Sequence, residues 1–384
     1  MKIGLVSSHS FVRPGGVKNH ILNLQKEYKK KGHVCKIIAP RSINEKNYKK
    51  DIILLGTSFK LLVGGSQGDF TFNFTPGAID HLLKKEKFDL LHFHNFGPIT
   101  WQILNNPYLA KQTILTWHAS LEGANYFKYL PFGKAIVRNV VRNKIDGIIG
   151  VAPFNLDVFR GIKIPKAVIP NGIDLEKFNP GAKKIKKFLD GKINILFLGR
   201  IEERKGLMYL LKAYRLLHKK FGSEWAALNL RLIVVGRGPL EKESKDFVSE
   251  NNLKNVVFIG QIVEPPSYYA TCDIYCSPAI YGESFGIVLI EAMATEKPVV
   301  AFANAGYKIV LSKGKGKKFL AKPRDFRTLA KHLELLIKNP KLRKTIGRWG
   351  QKEAQKYSWP KVADKILAFY KLCLAKKRKS GKNK

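Results

Sequence analysis

The sequence predicts an α/β protein built of two parallel-sheet domains. Three observations carry that prediction. The chain has 384 residues, more than one ordinary α/β core holds and enough for two. Short apolar runs alternate with amphipathic stretches from end to end, which is the pattern of parallel strands joined by crossover helices. The alternation then restarts after a segment rich in Pro, Gly and Lys.

In the first half the strand-like runs are Lys2–Ser7, Cys35–Ala39, Asp89–His94, Thr113–Trp117, Gly147–Val151 and Ala167–Ile169. The stretch Val17–Lys31 places Ile21, Leu22, Leu24 and Tyr28 near helical spacing. Ile52–Phe74 is β-prone but broken by glycines, and reads as an irregular hairpin before the Pro76-Gly77 turn. In the second half, strands are expected at Lys192–Gly199, Leu230–Gly236, Val256–Ile259, Ile274–Ser277 and Pro298–Phe302. Helices are expected at Gly206–Phe221, Leu240–Asn251 and Gly286–Thr295. Ile173–Lys192 contains Pro170-Asn171-Gly172 at its border, Pro180-Gly181 and a lysine run, and reads as the linker. The expected division is residues 1–175, 176–357, and a last helix, about Trp359–Leu374, with a basic tail to residue 384.

Composition narrows the class. Hydrophobic residues make up 45% and charged residues 26%, a globular balance. No apolar run reaches the roughly 18 residues that span a bilayer, and Met1–Ser7 is too short for a signal-peptide core. A cytoplasmic location is therefore expected. The four cysteines form no disulfide framework in a chain this long. Cys272 and Cys276 read as small buried residues, and no metal is expected. Sixty-nine Lys and Arg against 29 Asp and Glu give a net charge of +40, a field that attracts polyanions, anionic lipid or phosphorylated substrates. The bases are dispersed, with one dense tail, Lys376–Lys384. Zinc-finger spacing and aromatic RNA-binding strands are lacking, so no specific nucleic-acid partner is expected.

Four motifs carry chemistry. Arg13-Pro14-Gly15-Gly16-Val17-Lys18-Asn19-His20 follows the first strand and opens the first helix. Its glycines let backbone approach a ligand, and the helix end favours an anion. It lacks the G-x-G-x-x-G spacing of a dinucleotide site. Gly199-Arg200-Ile201-Glu202-Glu203-Arg204-Lys205-Gly206 places two cations, Arg200 and Lys205, on a strand-to-helix loop, the edge where open α/β sheets bind ligands. Such a pair suits a diphosphate. Tyr281–Ala294 holds Glu283 in a loop, Ser284, Phe285 and Gly286 at a helix start, and Glu291 in an otherwise apolar helix. Those carboxylates suit sugar or ribose hydroxyls, and a buried Glu291 needs partners. Thr116-Trp117-His118 ends a strand. His92 and His94 share a strand face, and with no third ligand in view they read as structural.

The ordered set of motifs resembles the retaining glycosyltransferases of the B-type fold, group 1. The set is Pro14-Gly15-Gly16 after the first strand, the strand ending in His118, Ile169-Pro170-Asn171-Gly172-Ile173-Asp174, Gly199-Arg200 with Lys205-Gly206, and Glu283 with Glu291. Ser10-Phe11 with Pro14–Val17, and Gly282–Leu289, are most similar to bacterial phosphatidylinositol mannosyltransferases. The resemblance implies two Rossmann-like domains facing each other across a cleft, with the last helix crossing back to the first domain. It also implies transfer of a hexose, with retention, from a nucleotide-diphosphate sugar to a lipid or glycan hydroxyl. The donor would be GDP-mannose or a UDP-hexose, and no further cofactor is needed. Gly16 would approach the donor phosphate or the acceptor, and His118 the donor sugar near the reacting carbon. Arg200 and Lys205 would neutralise the diphosphate, Glu283 would hold sugar hydroxyls, Glu291 the ribose, and Ile262 would lie near the nucleobase. The family's lipid-anchoring basic cluster sits on an early helix; the corresponding stretch here, Ala78–Phe88, departs from it by offering Lys84, Lys85 and Lys87 in a shifted register, and a peripheral anionic membrane surface is expected from the net charge and the resemblance. Asn304–Lys308 lacks the acidic residue common in the wider family.

Three rivals fit parts of the pattern. A glycoside hydrolase also uses two carboxylates, but has no need of the diphosphate features. A sugar-nucleotide epimerase of the same fold shares the nucleotide site and needs no acceptor. A polyanion-binding protein explains the charge and not the ordered motifs.

Overall fold

The structure is a computed structural model that describes residues 1–11, 15–41, 51–63, 66–118 and 132–379. It divides into two compact units, Met1–Gly172 with Trp359–Lys384, and Ile173–Ser358. Arg13, Pro14 and the end of the basic tail, Ser380–Lys384, lie outside the described residues.

The first unit is an eight-stranded sheet in the order β4-β3-β2-β1-β5-β6-β7-β8. Its strands are β1 (Lys2–Ser7), β2 (Val34–Arg41), β3 (Ile52–Val63), β4 (Ser66–Phe72), β5 (Leu90–His94), β6 (Gln112–Trp117), β7 (Gly147–Gly150) and β8 (Lys166–Val168). All pairs are parallel except β3 with β4, which form the hairpin expected within Ile52–Phe74. Alternate residues feed two cores, as period-two side chains must. Ile3 and Leu5 join the core under the helix Gly16–Lys30, while Val6 joins the core under the helix Ala78–Glu86. The last helix, Trp359–Lys379, belongs to the first core, where Val362, Ala363, Ile366, Tyr370 and Cys373 are buried. Gln112 Nε2 donates to the Tyr370 carbonyl (2.7 Å), and Lys377 pairs with Asp146 (3.0 Å), which ties that helix to the sheet.

The second unit is a six-stranded parallel sheet in the order β11-β10-β9-β12-β13-β14. The strands are β9 (Ile193–Leu198), β10 (Leu230–Val235), β11 (Val256–Gly260), β12 (Ile274–Ser277), β13 (Val299–Phe302) and β14 (Leu320–Ala321). Chain order reverses between β9 and β12, so the loops leaving those two strands part from one another at a switch point, the position where such sheets bind ligands. Helices Leu207–Phe221 and Ile287–Ala294 follow those loops.

Ile173–Lys192 is not a linker. Ile173 bridges Ser358 and donates its N–H to the Tyr357 carbonyl (2.8 Å), which moves the start of the second unit to residue 173. Further on, Phe188 is buried, and its carbonyl accepts from Asn194 Nδ2 (2.8 Å). Turn residues and lysines gave the segment its linker-like composition, but spaced apolar residues fasten it down. All four cysteines are buried, and burial pushes the thiols of Cys35, Cys272 and Cys373 up to about 12, which keeps them inert.

Candidate active site

In the first unit the carboxyl ends of β1, β5 and β6 lie side by side, with Ser7 paired to His94 and His94 to Thr116. The chain leaves β5 through Asn95, held at φ 67, a left-handed conformation that asparagine tolerates. Asn95 Oδ1 accepts the backbone N–H of His118 (2.8 Å), so this side chain fixes where the next strand's histidine emerges. His118 Nε2 lies 3.1 Å from His94 Nδ1, with the rings stacked. The third ring, His20, comes from the first helix and meets both edge-on, with centroids 5.2 and 4.8 Å away. His20 Nδ1 is 2.9 Å from Asn171 Oδ1 of the Pro-Asn-Gly motif. One step behind, His92 Nδ1 takes the Tyr370 hydroxyl (2.6 Å), which receives the Tyr28 hydroxyl (2.9 Å), and His92 Nε2 reaches Thr116 Oγ1 (2.6 Å).

These four histidines are buried. Desolvation lowers His20 to about 4 and holds His92, His94 and His118 well below the ordinary imidazole range. They are neutral at physiological pH. The sequence reading that His92 and His94 have no third ligand near them is corrected here: His20, 72 or more residues away in sequence, brings its ring to His94 and His118.

Gly15 and Gly16 open the first helix with no side-chain cap. A Cβ added at either would meet nothing within 4 Å. Packing within the described residues therefore does not require glycine here, which leaves backbone exposed at a helix N-terminus.

In the second unit, the loop after β9 and the loop after β12 are locked together. Gly206 sits at φ 72, and a Cβ there would come within 2.0 Å of the Pro278 carbonyl oxygen. The Ile280 N–H donates to the Arg204 carbonyl (2.8 Å). This contact sets Glu283 among cations. Lys205 Nζ lies 2.5 Å and Arg204 NH1 3.3 Å from Glu283 Oε1. Glu202 in turn pairs with Arg204 (2.5 Å) and Arg200 (3.4 Å). Arg200, 48% exposed at its side chain, is the most open of the three cations.

Ser284 and Phe285 lead into Gly286, held at φ 87, and then the helix Ile287–Ala294. A Cβ at Gly286 would come within 2.6 Å of the Tyr307 ring. Asn304 fixes that tyrosine: its Oδ1 accepts the Tyr307 N–H (2.9 Å) and its Nδ2 donates to the Ala279 carbonyl (2.8 Å). Asn304 thus serves as a helix cap and a brace. Glu291, on the same helix, accepts from the Tyr269 hydroxyl (2.8 Å), and desolvation raises its carboxyl to about 7. Ile262 follows β11 in a half-buried loop.

The structure therefore brings together Arg200, Lys205 and Glu283, places Gly286 and Glu291 on the adjoining helix, and places His118 with Gly16 in the first unit. Sequence reasoning missed Glu202, Arg204, Tyr269, His20, Asn95 and Asn171. Glu202 and Arg204 lay inside the quoted motif as alternating charges, and His20 closed the glycine motif on the helical face of Gly16.

Comparison with known proteins now decides the family. Residues 14–177 match the family model of Glycosyltransferase Family 4, and residues 180–353 that of Glycosyl transferases group 1. The chain is a glycosyltransferase, matched by the Family 4 model over its first part and by the group 1 model over its second. It is similar to the phosphatidyl-myo-inositol mannosyltransferase of Mycobacterium leprae, at 28% identity over 96% of both chains. Among solved structures, a sucrose-phosphate synthase from Thermosynechococcus elongatus superposes with a TM-score of 0.74 at 20% identity, covering 98% of this chain and 100% of the other. HepE from Anabaena, solved in complex with UDP and glucose, superposes at 0.72 and 17% identity, covering 96% and 98%. These two likenesses establish the B-type glycosyltransferase fold. In this glycosyltransferase no helix among the described residues is long and apolar enough to cross a membrane.

Proposed function

We propose that this glycosyltransferase moves a hexose, with retention of anomeric configuration, from a nucleotide-diphosphate sugar to a hydroxyl on a lipid or glycan. The observation that carries the reading is the convergence of Lys205 and Arg204 on Glu283 at the switch point of the second sheet. A leaving diphosphate develops negative charge as the anomeric C–O bond breaks. Preorganised cations and a helix end stabilise that charge without reorganisation. Arg200, Lys205 and the start of the helix after Gly286 supply them, so the reaction needs no metal. Glu283 pairs with Lys205, and on binding the donor's diphosphate replaces that carboxylate as the lysine's partner. Glu283 is then released to accept hydroxyls of the sugar, Glu291 those of the ribose, and Ile262 lies against the base. Gly16 approaches the donor phosphate or acceptor, and His118, neutral and fixed by Asn95, contacts the sugar near the reacting carbon.

Mannose is the favoured sugar because curated relatives matched along nearly the whole chain are named mannosyltransferases, which makes GDP-mannose the first donor to test. A lipid acceptor at an anionic membrane surface is supported by Lys84, Lys85 and Lys87, all exposed. Lys84 Nζ lies 4.2 Å from the ring centroid of exposed Tyr108. Exposed Trp101 and Phe74 are on neighbouring elements.

The test is calorimetric titration of nucleotide sugars and their nucleoside diphosphates into wild type and Glu283→Ala. The expected result is selective binding of one sugar nucleotide, weakened by the substitution, with the free diphosphate bound as well as before. No binding of any donor removes this reading. Co-sedimentation with anionic liposomes at low salt checks the membrane surface, and absence of binding removes it.

A further inference from the structure

The three rings His20, His94 and His118 offer one nitrogen each within 4.8 Å of one another, and all three are buried. We propose that they form a binding site for a single borderline transition-metal ion, of which Zn²⁺ is the type, and that the metal-bound protein is catalytically silent.

The argument begins with lone pairs. Asn171 Oδ1 can only accept, so His20 carries its proton on Nδ1 and presents a bare lone pair at Nε2. That Nε2 is buried and has no hydrogen-bond partner among the described residues. A buried acceptor with nothing to accept is costly, and an ion that takes the lone pair of His20 Nε2 removes that cost. A carbonyl oxygen orienting the far nitrogen of a histidine is also the usual outer-shell arrangement at metal sites.

The chemistry of the donor set selects the ion. Three imidazoles and no carboxylate suit zinc, copper or nickel rather than magnesium or calcium. The hydrogen shared between His94 Nδ1 and His118 Nε2 moves to the far nitrogen of its own ring, so both present lone pairs with no net release of a proton. Tetrahedral zinc holds nitrogens about 2.0–2.1 Å from the metal, hence roughly 3.3 Å from each other. His94 Nδ1 and His118 Nε2 already stand 3.1 Å apart. The remaining closure is made by His20, whose nitrogen lies within 4.8 Å of the other two. Three protein ligands leave the fourth position open, as in metal sites that keep an exchangeable ligand.

Silencing is a separate step that rests on the proposed role of His118. An imidazole nitrogen whose lone pair is given to a metal cannot also accept a hydrogen bond from the donor sugar. Metal binding itself does not depend on that role, so the two fail separately.

The experiment uses full-length, tag-free protein dialysed against chelator and then titrated with ZnCl₂, followed by heat and by competition with a chromophoric chelator. A parallel titration with CoCl₂ reads the visible d–d band of tetrahedral cobalt. The expected result is one zinc per chain, a cobalt band that zinc abolishes, at least tenfold weaker binding in His20→Gln, and weaker binding by about ten- to a hundredfold in Asn171→Ala, which loses the orienting oxygen. His81→Ala, an exposed histidine outside the cluster, should bind as wild type does. Circular dichroism identifies any variant that fails to fold, and Asn171→Ala keeps all three ligands should His20→Gln be such a case. Wild type without stoichiometric binding, or a folded His20→Gln that binds as tightly, overturns the site. Transfer activity that persists at saturating zinc overturns the silencing and the role given to His118, while the site stands.

Discussion

At the carboxyl ends of the first sheet stand His20, His92, His94 and His118, buried and neutral. At the carboxyl ends of the second stand Arg200, Arg204 and Lys205, with Glu202 and Glu283 between them, partly open to solvent and charged. The same sheet topology, with a switch point in each, thus carries two opposite electrostatic designs. The difference follows from what each must do in the reaction proposed here. A group near a reacting carbon works through position and lone pairs, and burial sharpens both. Groups that receive a leaving diphosphate work through charge, and partial exposure lets charged side chains exchange partners without leaving one of them stranded in a low dielectric.

Breaking the charged half should have the largest effect. Lys205→Ala should lower kcat/KM by about 10²–10³-fold, the loss typical when one donor to developing charge is removed, with most of it in kcat. Lys205→Arg should recover part of this, because charge is kept and length is not. An effect on KM alone would assign Lys205 to ground-state binding. In the neutral half, His118→Ala should cost about 10²-fold in kcat with little change in binding of the free nucleoside diphosphate. Loss of diphosphate affinity in that variant would erase the division of labour between the two sets of residues.

The comparison also explains what could be read in the sequence. The charged half is compact in sequence: Arg200, Glu202, Arg204 and Lys205 share one loop, and Glu283 and Gly286 share another, with Glu291 on the helix that follows. Strand-to-loop placement alone located both. The neutral half is assembled from distant pieces. His20 meets Asn171, 151 positions on, and Tyr370 meets His92, 278 positions back, so only the fold reveals the cluster. Its members also look bland in isolation, since a single histidine on a strand carries no signal of its neighbours. The strands of both sheets, except the two-residue β14, were legible because buried parallel strands are apolar runs bounded by glycine and turn residues. Helices Phe326–Lys338 and Pro340–Ala354 were not read. Their caps were visible: Asp325 accepts from the Thr328 N–H and Asn339 from the Leu342 N–H (both 2.9 Å), the side chains expected at such starts.

The two designs should respond to pH with opposite sign. Each buried histidine has a folded pKa below its unfolded one, so as pH falls the unfolded chain takes up the extra proton first; for His20 this holds between about 6.5 and 4. For His20 this stability is complete above the unfolded value and lost as pH falls through that window, about 3 kcal/mol in all. In chelator-treated protein, amide exchange of the helix Gly16–Lys30 should therefore accelerate below pH 6 before that of the second unit. His20→Asn, which cannot charge, should flatten the acid limb. Equal acid sensitivity of both units would show that the histidines do not set it.

Glu291 acts the other way. Its folded pKa, about 7, lies above the ordinary carboxylate value, so the folded protein holds the extra proton between roughly 4.5 and 7, and the contribution falls as pH rises through that window. Above pH 7 the ionised group rests on one hydrogen bond from Tyr269, a desolvation cost that Glu291→Gln removes while keeping an acceptor for the tyrosine. The variant should match wild type near pH 5 and exceed it at pH 8 by roughly 1–3 kcal/mol, read as Tm at the two values. If this carboxylate also accepts ribose hydroxyls, nucleoside diphosphate should reverse the difference at pH 8: bound ligand supplies to the wild-type carboxylate the hydrogen bonds that the protein withholds, and supplies less to the amide. A stability gain that survives saturating nucleotide would leave Glu291 as a buried acid with no part in the donor site.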